Sequence, residues 1–432
     1  MQYFSYFSTF TIKCSQPKIL KPINMNQTIN KSALFNGSCF ALITTGLSFS
    51  IRSGILTQLG TEFALSGEQL GFINSMWFFG FPISMIIGGL FYHSVGPKNI
   101  MKIAFVMHTL GVLLTIFAGG YVGLLISMLC IGLGTGCTEA ACNPMIADMY
   151  SGDKMNKMLN RFHMWFPGGI VMGALISKFM TIMDLGWQAQ MGVIMIPAIT
   201  YFVLFYGKKF PESKVDEATS LSSNLKAMVS PLYIFLLVCM AFTAISEFGP
   251  GQWVEIILGS SGADPMIILA LTAGLVTVLR FFAGPVVSSL GQTGVLLGGA
   301  IFTALGIYLF SIVTGPVAYL AAIVYALGYA YFWPVMVGAV AQRVPLSSAL
   351  GMSVIGAIGM FSSGIFQPII GNWIDASTID NTAKGLTGHA LELATGQDTL
   401  QKMMLFPIIL IVMFTILFFW QKGKKPAAAA AH

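Results

Sequence analysis

Charged side chains are scarce in this 432-residue sequence, in which Asp, Glu, Lys and Arg together make up 9% of the residues. A soluble domain has about 25% charged residues. Hydrophobic residues account for 56% of the chain. The composition therefore excludes a soluble globular protein and indicates a protein of the lipid bilayer.

The sequence also lacks the motifs of common enzyme and metal sites. It has no nucleophile elbow, no His-Glu-x-x-His motif and no cysteine–histidine cluster. Five of its six cysteines fall within apolar runs and Cys14 lies near the start, so no loop disulfide is expected. A membrane enzyme is therefore disfavoured, and we predict no catalytic residue, no metal site and no cofactor.

Long apolar runs are what the sequence does contain. A spanning helix needs about 20 mostly apolar residues, and charge-free runs such as Gln69 to Pro97 exceed that length. Divided at turn signals such as Thr314-Gly315-Pro316, the runs predict an all-α membrane protein with twelve transmembrane helices. The predicted spans are 33–58, 69–93, 99–119, 121–149, 157–182, 187–207, 231–258, 265–290, 292–313, 316–341, 347–374 and 401–421.

The distribution of lysine and arginine predicts the orientation. With a cytoplasmic N-terminus, 17 of the 22 basic residues fall on the cytoplasmic side, and three (Lys178, Lys384 and Lys402) fall on the other side. This bias follows the positive-inside rule, so both termini are predicted to be cytoplasmic. We attribute the net charge of +6 to this topology and expect no nucleic-acid partner.

The sequence indicates two similar halves joined by a polar linker. Gly89 and Gly96 match Gly284 and Gly291 at an offset of 195 residues. The predicted parts are a leader (1–32), a first six-helix bundle (33–207), a cytoplasmic linker (208–230), a second six-helix bundle (231–421) and a tail (422–432). Such internal repeats are typical of secondary transporters, whose substrate site lies between the halves.

The loops after the second and eighth spans, GLFYHSVGPKNIM and RFFAGPVVSSLG, resemble the signature loops of the major facilitator superfamily. Within it, GLGTGCTEAACNP (132–144) is similar to the fourth-helix motif of the fucose/proton symporter family. The resemblance implies twelve helices in two pseudo-symmetric bundles, in a monomer of the bacterial inner membrane that transports a small solute with protons. His93 and Ser94 depart from the acidic and basic residues usual in the loop.

Charged side chains inside spans are the candidates for proton coupling. Glu139, Glu247 and Arg52 lie within predicted spans, where an unpaired charge is costly. We interpret Glu139 as a proton-exchanging carboxylate, with a structural ion pair as the alternative. Arg52 and Glu247 are related by the 195-residue offset, so we predict that they are coupled across the central cavity, directly or through the ligand. The alternative for Arg52 is a position near the outer mouth, where its charged end reaches water.

Polar and aromatic side chains within spans are the candidates for binding a solute. The predicted substrate-binding residues are Asn143, Gln252, Trp253, Asn74, Trp77, Gln367 and Trp333. Simple helix packing is the alternative for each tryptophan. The residues predicted to act in gating are His93, Arg161, His163 and Arg280.

Two transport functions fit these residues. The first is proton-coupled uptake of a neutral polar solute such as a monosaccharide. The second is a proton-coupled exporter of drugs or metabolites, which would use the same carboxylates in a more apolar cavity. The direction of transport distinguishes them, and gradient-driven uptake into proteoliposomes measures it.

Overall fold

The computed structural model describes residues 29–150, 152–211 and 221–421. The predicted leader up to residue 28, part of the linker (212–220) and the tail (422–432) lie outside the described residues. Eleven helices of the described chain are long and apolar enough to span a membrane, and Pro265–Phe281 is a shorter apolar helix. This confirms the prediction of an all-α membrane protein.

The helices follow one another in two sets, separated by a short helix in the linker. The first set is α1 (Lys31–Glu62), α2 (Gly67–Leu90), α3 (Tyr92–Val95), α4 (Pro97–Ile116), α5 (Tyr121–Met149), α6 (Gly152–His163), α7 (Trp165–Ile182), α8 (Trp187–Val193) and α9 (Met195–Phe205). The linker helix is α10 (Leu221–Met228). The second set is α11 (Pro231–Gln252), α12 (Val254–Leu258), α13 (Pro265–Phe281), α14 (Ala283–Ile312), α15 (Val317–Tyr329), α16 (Phe332–Arg343), α17 (Ser348–Ala383), α18 (Gly388–Met403) and α19 (Leu405–Gln421).

Several predicted span boundaries were wrong. The seventh span ends at Gln252, and residues Val254–Leu258 form the separate helix α12. The eighth ends at Phe281, nine residues early, because the chain bends there before α14 begins. The twelfth is preceded by α18, which starts at Gly388. Hydropathy alone does not register the breaks after Gln252 and Phe281, because the residues on both sides are apolar. Helix α18 contains Glu392, Asp398 and Lys402, and it therefore lies outside the apolar runs.

Helix starts follow local capping chemistry. Ser66 and Gln69 form a capping box at the start of α2, in which each side chain bonds the other's backbone N–H. The side chain of Asp264 accepts a hydrogen bond from Ile267 N at the start of α13, and Pro265 occupies the first turn. These signals explain why the turn before each helix is sharp.

The predicted repeat has a conformational counterpart at two glycines. Gly96 has φ 78° and ψ 150°, and Gly291, its partner at the 195-residue offset, has φ 69° and ψ 161°. This region of backbone space is essentially restricted to glycine. The two halves therefore turn the chain in the same way at matched positions.

The halves are joined at one end, which we call the turn end because it carries the α1–α2 turn (63–66) and the α17–α18 turn (384–387). The N–H groups of Gly67 and Glu68 donate to the carboxylate of Asp375, at 2.7 and 2.9 Å. Lys178 of α7 forms an ion pair with Asp264. A Cβ atom on Gly71 would clash with the Cα of Pro368, so α2 and α17 pack backbone to backbone.

At the opposite end of the bundle, helices pack within their own half. Helix α5, which ends there at Met149, contacts α1, α2, α4 and α6, whereas α16, which ends at Arg343, contacts α11, α14 and α17. The contacts between halves join α1, α2 and α7 to α11, α12, α13 and α17. The structure is therefore closed at the turn end.

Candidate functional site

Arg52 lies at the junction of the two halves, fully buried in α1. Its Nε donates to Oε1 of Gln252 at 2.7 Å, and its Nη2 contacts the same oxygen. The guanidinium carbon lies 4.8 Å from the ring centroid of Trp77, and 5.7 and 5.8 Å from those of Phe78 and Phe49. We call this group of five residues the Arg52 cage.

The cation in this cage has no anionic partner among the described residues. Arg52 forms no salt bridge within the described part of the chain, and its Nη1 has no hydrogen-bond acceptor there. Gln252 supplies a neutral oxygen, and its Nε2 donates to Phe49 O at 3.2 Å. Burying a charge without a counter-charge costs free energy, so this arrangement indicates a functional role, such as binding a ligand.

Trp77 of the cage and two polar side chains near it are buried with unpaired atoms. Both amide atoms of Asn74, Nε1 of Trp77 and Nε2 of Gln367 have no partner among the described residues, and all three side chains are 0% exposed. Asn74 and Trp77 are three residues apart on α2 and so share a helix face. Buried polar groups in proteins are almost always paired, which makes this cluster a candidate binding site.

Aromatic rings connect the cage to the second half. Phe248 lies 5.8 Å from Phe49 and 5.9 Å from Phe78, centroid to centroid, and 6.1 Å from Trp333, which is half-buried. Trp253 donates its Nε1 to Oε1 of Gln367 at 2.7 Å. The structure thus brings together most of the predicted substrate-binding residues: Gln252, Trp253, Asn74, Trp77, Gln367 and Trp333.

Glu247 does not pair with Arg52 in the structure, so the direct form of their predicted coupling is absent, and coupling through a ligand stays a prediction. Its Oε1 accepts from Nη2 of Arg280 at 2.9 Å, and Arg280 also donates its Nε to Ala330 O at 2.8 Å. Five residues separate Glu247 from Gln252, which is about 140° around a helix. Gln252 therefore faces α1, whereas Glu247 faces α13 within its own half.

Glu139 and Asn143 form a separate polar pair on α5. Nδ2 of Asn143 donates to Oε2 of Glu139 at 2.6 Å, and both residues are half-buried. A Cβ on Gly132 would clash with the backbone of Trp77, which fixes α5 against the cage. Glu139 is seven residues further along, about 10 Å down the helix axis. The pair is thus close to the cage but not part of it.

The predicted gating residues are scattered. Arg280 is held by Glu247, whereas Arg161 and His163 are exposed at the end of α6, outside the cage. His93 is exposed on α3, and next to it Tyr92 donates its hydroxyl to Oδ2 of Asp148 at 2.9 Å.

The sequence did not reveal the closing contacts of the turn end. Asp375, Lys178 and Asp264 lie near helix ends, where charged residues are common and carry no signal of their own. Glu255 on α12 belongs to the same region, and burial together with Asp264 raises its pKa to about 7, against the opposing effect of Lys178. For Asp264 the sequence did offer a signal, because Asp followed by Pro is typical of a helix start.

A bundle of spanning helices in two similar halves, closed at one end around a buried polar site, defines a membrane transporter of the alternating-access type. The chain belongs to the Major Facilitator Superfamily, whose family model matches residues 38–368. Its relatives and structural neighbours are transporters, not enzymes.

Among similar proteins is the putative niacin/nicotinamide transporter NiaP of Bacillus subtilis, 23% identical over 80% of this chain and 88% of that protein. The hexuronate transporter of Bacillus subtilis is 27% identical over 39% of this chain and 40% of its own length. The arabinose-proton symporter of Escherichia coli K12 is 22% identical over 42% and 37%. A crystal structure of a mutant of the nucleoside transporter NupG has a TM-score of 0.73, with 14% identity over 89% of this chain and 100% of that one.

Proposed function

We propose that the chain is a secondary active transporter for a small solute that carries a carboxylate, driven by protons. The buried guanidinium of Arg52 carries this proposal, since it has no anionic partner and one unpaired nitrogen among the described residues. Arginine binds carboxylates through two parallel hydrogen bonds, which a neutral amide oxygen cannot fully replace. Of the similar transporters, one is named for niacin and nicotinamide and another for hexuronate. Niacin and hexuronate are carboxylates, whereas nicotinamide is a neutral amide.

Binding and gating are linked in this proposal. Gln252 occupies Nε and Nη2 of Arg52 while the turn end is closed. A substrate carboxylate competes with Gln252 for these donors and also reaches the unpaired atoms of Asn74 and Gln367. Since Arg52 and Gln252 belong to different halves, binding the substrate replaces a contact that holds the halves together.

The predicted orientation assigns a transport state to the structure. By the positive-inside rule the turn end faces outward, and the closed arrangement at Gly67, Gly71 and Asp375 is then the inward-facing state. Glu139 accordingly lies on the cytoplasmic side of the cage. A carboxylate there exchanges its proton with the cytoplasm, so that proton release accompanies substrate release.

A neutral monosaccharide is the second candidate. The amides of Asn74 and Gln367 and the indoles of Trp77 and Trp253 are groups that bind sugar hydroxyls and rings, and a similar protein is an arabinose-proton symporter. In this case Arg52 holds the halves together and does not touch the substrate.

Matched pairs of solutes distinguish the two candidates. Binding of glucuronate and glucose, and of nicotinate and nicotinamide, is measured on the purified protein in detergent by calorimetry. We expect a carboxylate to bind and its neutral partner to bind at least tenfold more weakly, about 1.4 kcal/mol. Arg52→Gln should abolish this preference and Arg52→Lys should keep part of it, because lysine retains the charge but not the planar fork.

Lys157→Gln is the control, since Lys157 is an exposed cation on α6 and its loss changes the net charge equally. Tight binding of glucose that does not change in Arg52→Lys would support the sugar transporter instead. Equal binding of acid and neutral partner by the wild type would refute the carboxylate proposal.

A further inference from the structure

An apolar groove opens on the outer surface of the first half, between α4 and α9. Its volume is about 640 Å³, within the range of about 300–1,000 Å³ typical of small-molecule sites. Six aromatic side chains line it: Phe105, Tyr201, Phe202, Phe205, Tyr206 and Phe210. The groove is separate from the Arg52 cage, which lies between the halves.

The wall of the groove is rigid and apolar. The rings of Phe105 and Phe202 stack with centroids 4.3 Å apart, and Tyr201 is held by a 3.1 Å hydrogen bond to His108. Val106 and Tyr206 are 53% and 75% exposed, which places the mouth of the groove on the outside of the bundle. In a membrane, hydrocarbon chains surround this outside surface.

Positive charge is concentrated at one end of the groove. Lys98 and Lys102 are exposed, line the groove and are four residues apart, on one face of α4. Lys208 and Lys209 follow Gly207, another lining residue, directly in the sequence. This end coincides with the start of α4 and the end of α9, where both spans leave the apolar layer.

We propose that this groove binds one anionic phospholipid, with an acyl chain along the aromatic wall and the phosphate between Lys98 and Lys102. The occupant has to be apolar over most of its length and anionic at one end, which matches the groove in shape and charge. Cationic side chains at the edge of a membrane span attract acidic lipids. A bound lipid bridges α4 and α9, and so stabilises the first half independently of the transported solute.

Native mass spectrometry of the purified full-length protein tests this. Delipidated protein is titrated with phosphatidylglycerol or with phosphatidylcholine of the same acyl chains, and bound lipids are counted. We expect one phosphatidylglycerol to be retained at least fivefold more tightly than phosphatidylcholine. Lys98→Gln/Lys102→Gln should remove this preference, and Val106→Trp, which fills the groove, should lower retention of both lipids.

Lys154→Gln/Lys157→Gln is the matched control, because it removes two exposed cations from α6, outside the groove. Inorganic phosphate alone should neither bind nor raise the melting temperature, which distinguishes a lipid site from a phosphate site. Retention of phosphatidylglycerol that is unchanged in Lys98→Gln/Lys102→Gln, or lowered equally in the control, would overturn the proposal. Stabilisation by inorganic phosphate would also overturn it.

Discussion

Gln252→Glu tests whether Arg52 is the anchor for a substrate carboxylate. In the structure, two guanidinium nitrogens of Arg52 share the side-chain oxygen of Gln252, with Nε at 2.7 Å. A glutamate at this position offers the same oxygen with a negative charge, in the place where we propose that the substrate binds. The substitution changes little in volume and therefore isolates the charge.

The expected magnitude follows from the bonds that change. The Arg52–Gln252 bonds already have one charged partner, and such bonds contribute about 1.5–3 kcal/mol. A second charge strengthens them towards the cost of breaking a buried ion pair, about 3–5 kcal/mol, which is a gain of about 2 kcal/mol. Against this, the bond from Nε2 of Gln252 to Phe49 O is lost, at about 1 kcal/mol. A net gain of about 1 kcal/mol for the closed turn end corresponds to a factor of about 5 in the equilibrium between closed and open states.

Two measurements on the purified protein check this. The melting temperature of Gln252→Glu should rise, and the affinity for the carboxylate substrate should fall at least fivefold, because the introduced carboxylate competes with it. Gln292→Glu is the control, since it adds the same charge at a half-buried position on α14, outside the cage. Wild-type substrate affinity in Gln252→Glu, with a higher melting temperature, would show that the substrate does not use Arg52.

Three further predictions concern other charged groups. Glu139→Gln should abolish substrate accumulation driven by a proton gradient and leave counterflow exchange of substrate intact, as measured in proteoliposomes. Accumulation at the wild-type level would show that Glu139 has a structural role only. Arg280→Gln should cost about 3–5 kcal/mol of stability, because it leaves the carboxylate of Glu247, which is 9% exposed, without its partner. Glu247→Gln should cost less, because the side chain of Arg280 is 27% exposed and water reaches it. The double variant should cost less than the sum of the two in a thermal double-mutant cycle; strict additivity would contradict this coupling. Burial and Asp264 raise the pKa of Glu255 from 4.5 to about 7. Its neutral form therefore stabilises the fold fully below pH 4.5, and this contribution is lost as the pH rises through about 7. Between pH 5 and pH 8 the melting temperature should fall less in Glu255→Gln than in the wild type, and an identical pH dependence would refute the assignment.

The sequence predicted the spans and the repeat better than it predicted the pairing of charges. Long apolar runs define spans because each must cross the same thickness of hydrocarbon. The pairing of Glu247 depends on the rotation of α11 about its axis, which its packing against α17, α19 and α1 determines. The 195-residue offset matches Arg52 with Glu247 by their positions along the chain, but it carries no information about the rotation of α11.

The candidate site was predicted in its residues but not in its connections. Polar and aromatic residues in apolar surroundings were sufficient to select Asn74, Gln252, Trp253 and Gln367. The pairing of Arg52 with Gln252 depends on two chain segments 200 residues apart, and no local pattern encodes it. The contacts of Asp375 with the start of α2 were missed for the same reason.

The close backbone packing at Gly71 also bears on the engineering of this protein for structural work. Replacing glycine by alanine inside a helix usually stabilises it by about 0.5–1 kcal/mol, and Gly298 on α14 has open space where a methyl group fits. At Gly71 the same methyl group meets the backbone of Pro368 and pushes the two halves apart. Alanine at Gly298 should thus stabilise the helix in either conformer, whereas alanine at Gly71 should disfavour the closed turn end, so that the two substitutions together offer a way to capture the opposite conformer.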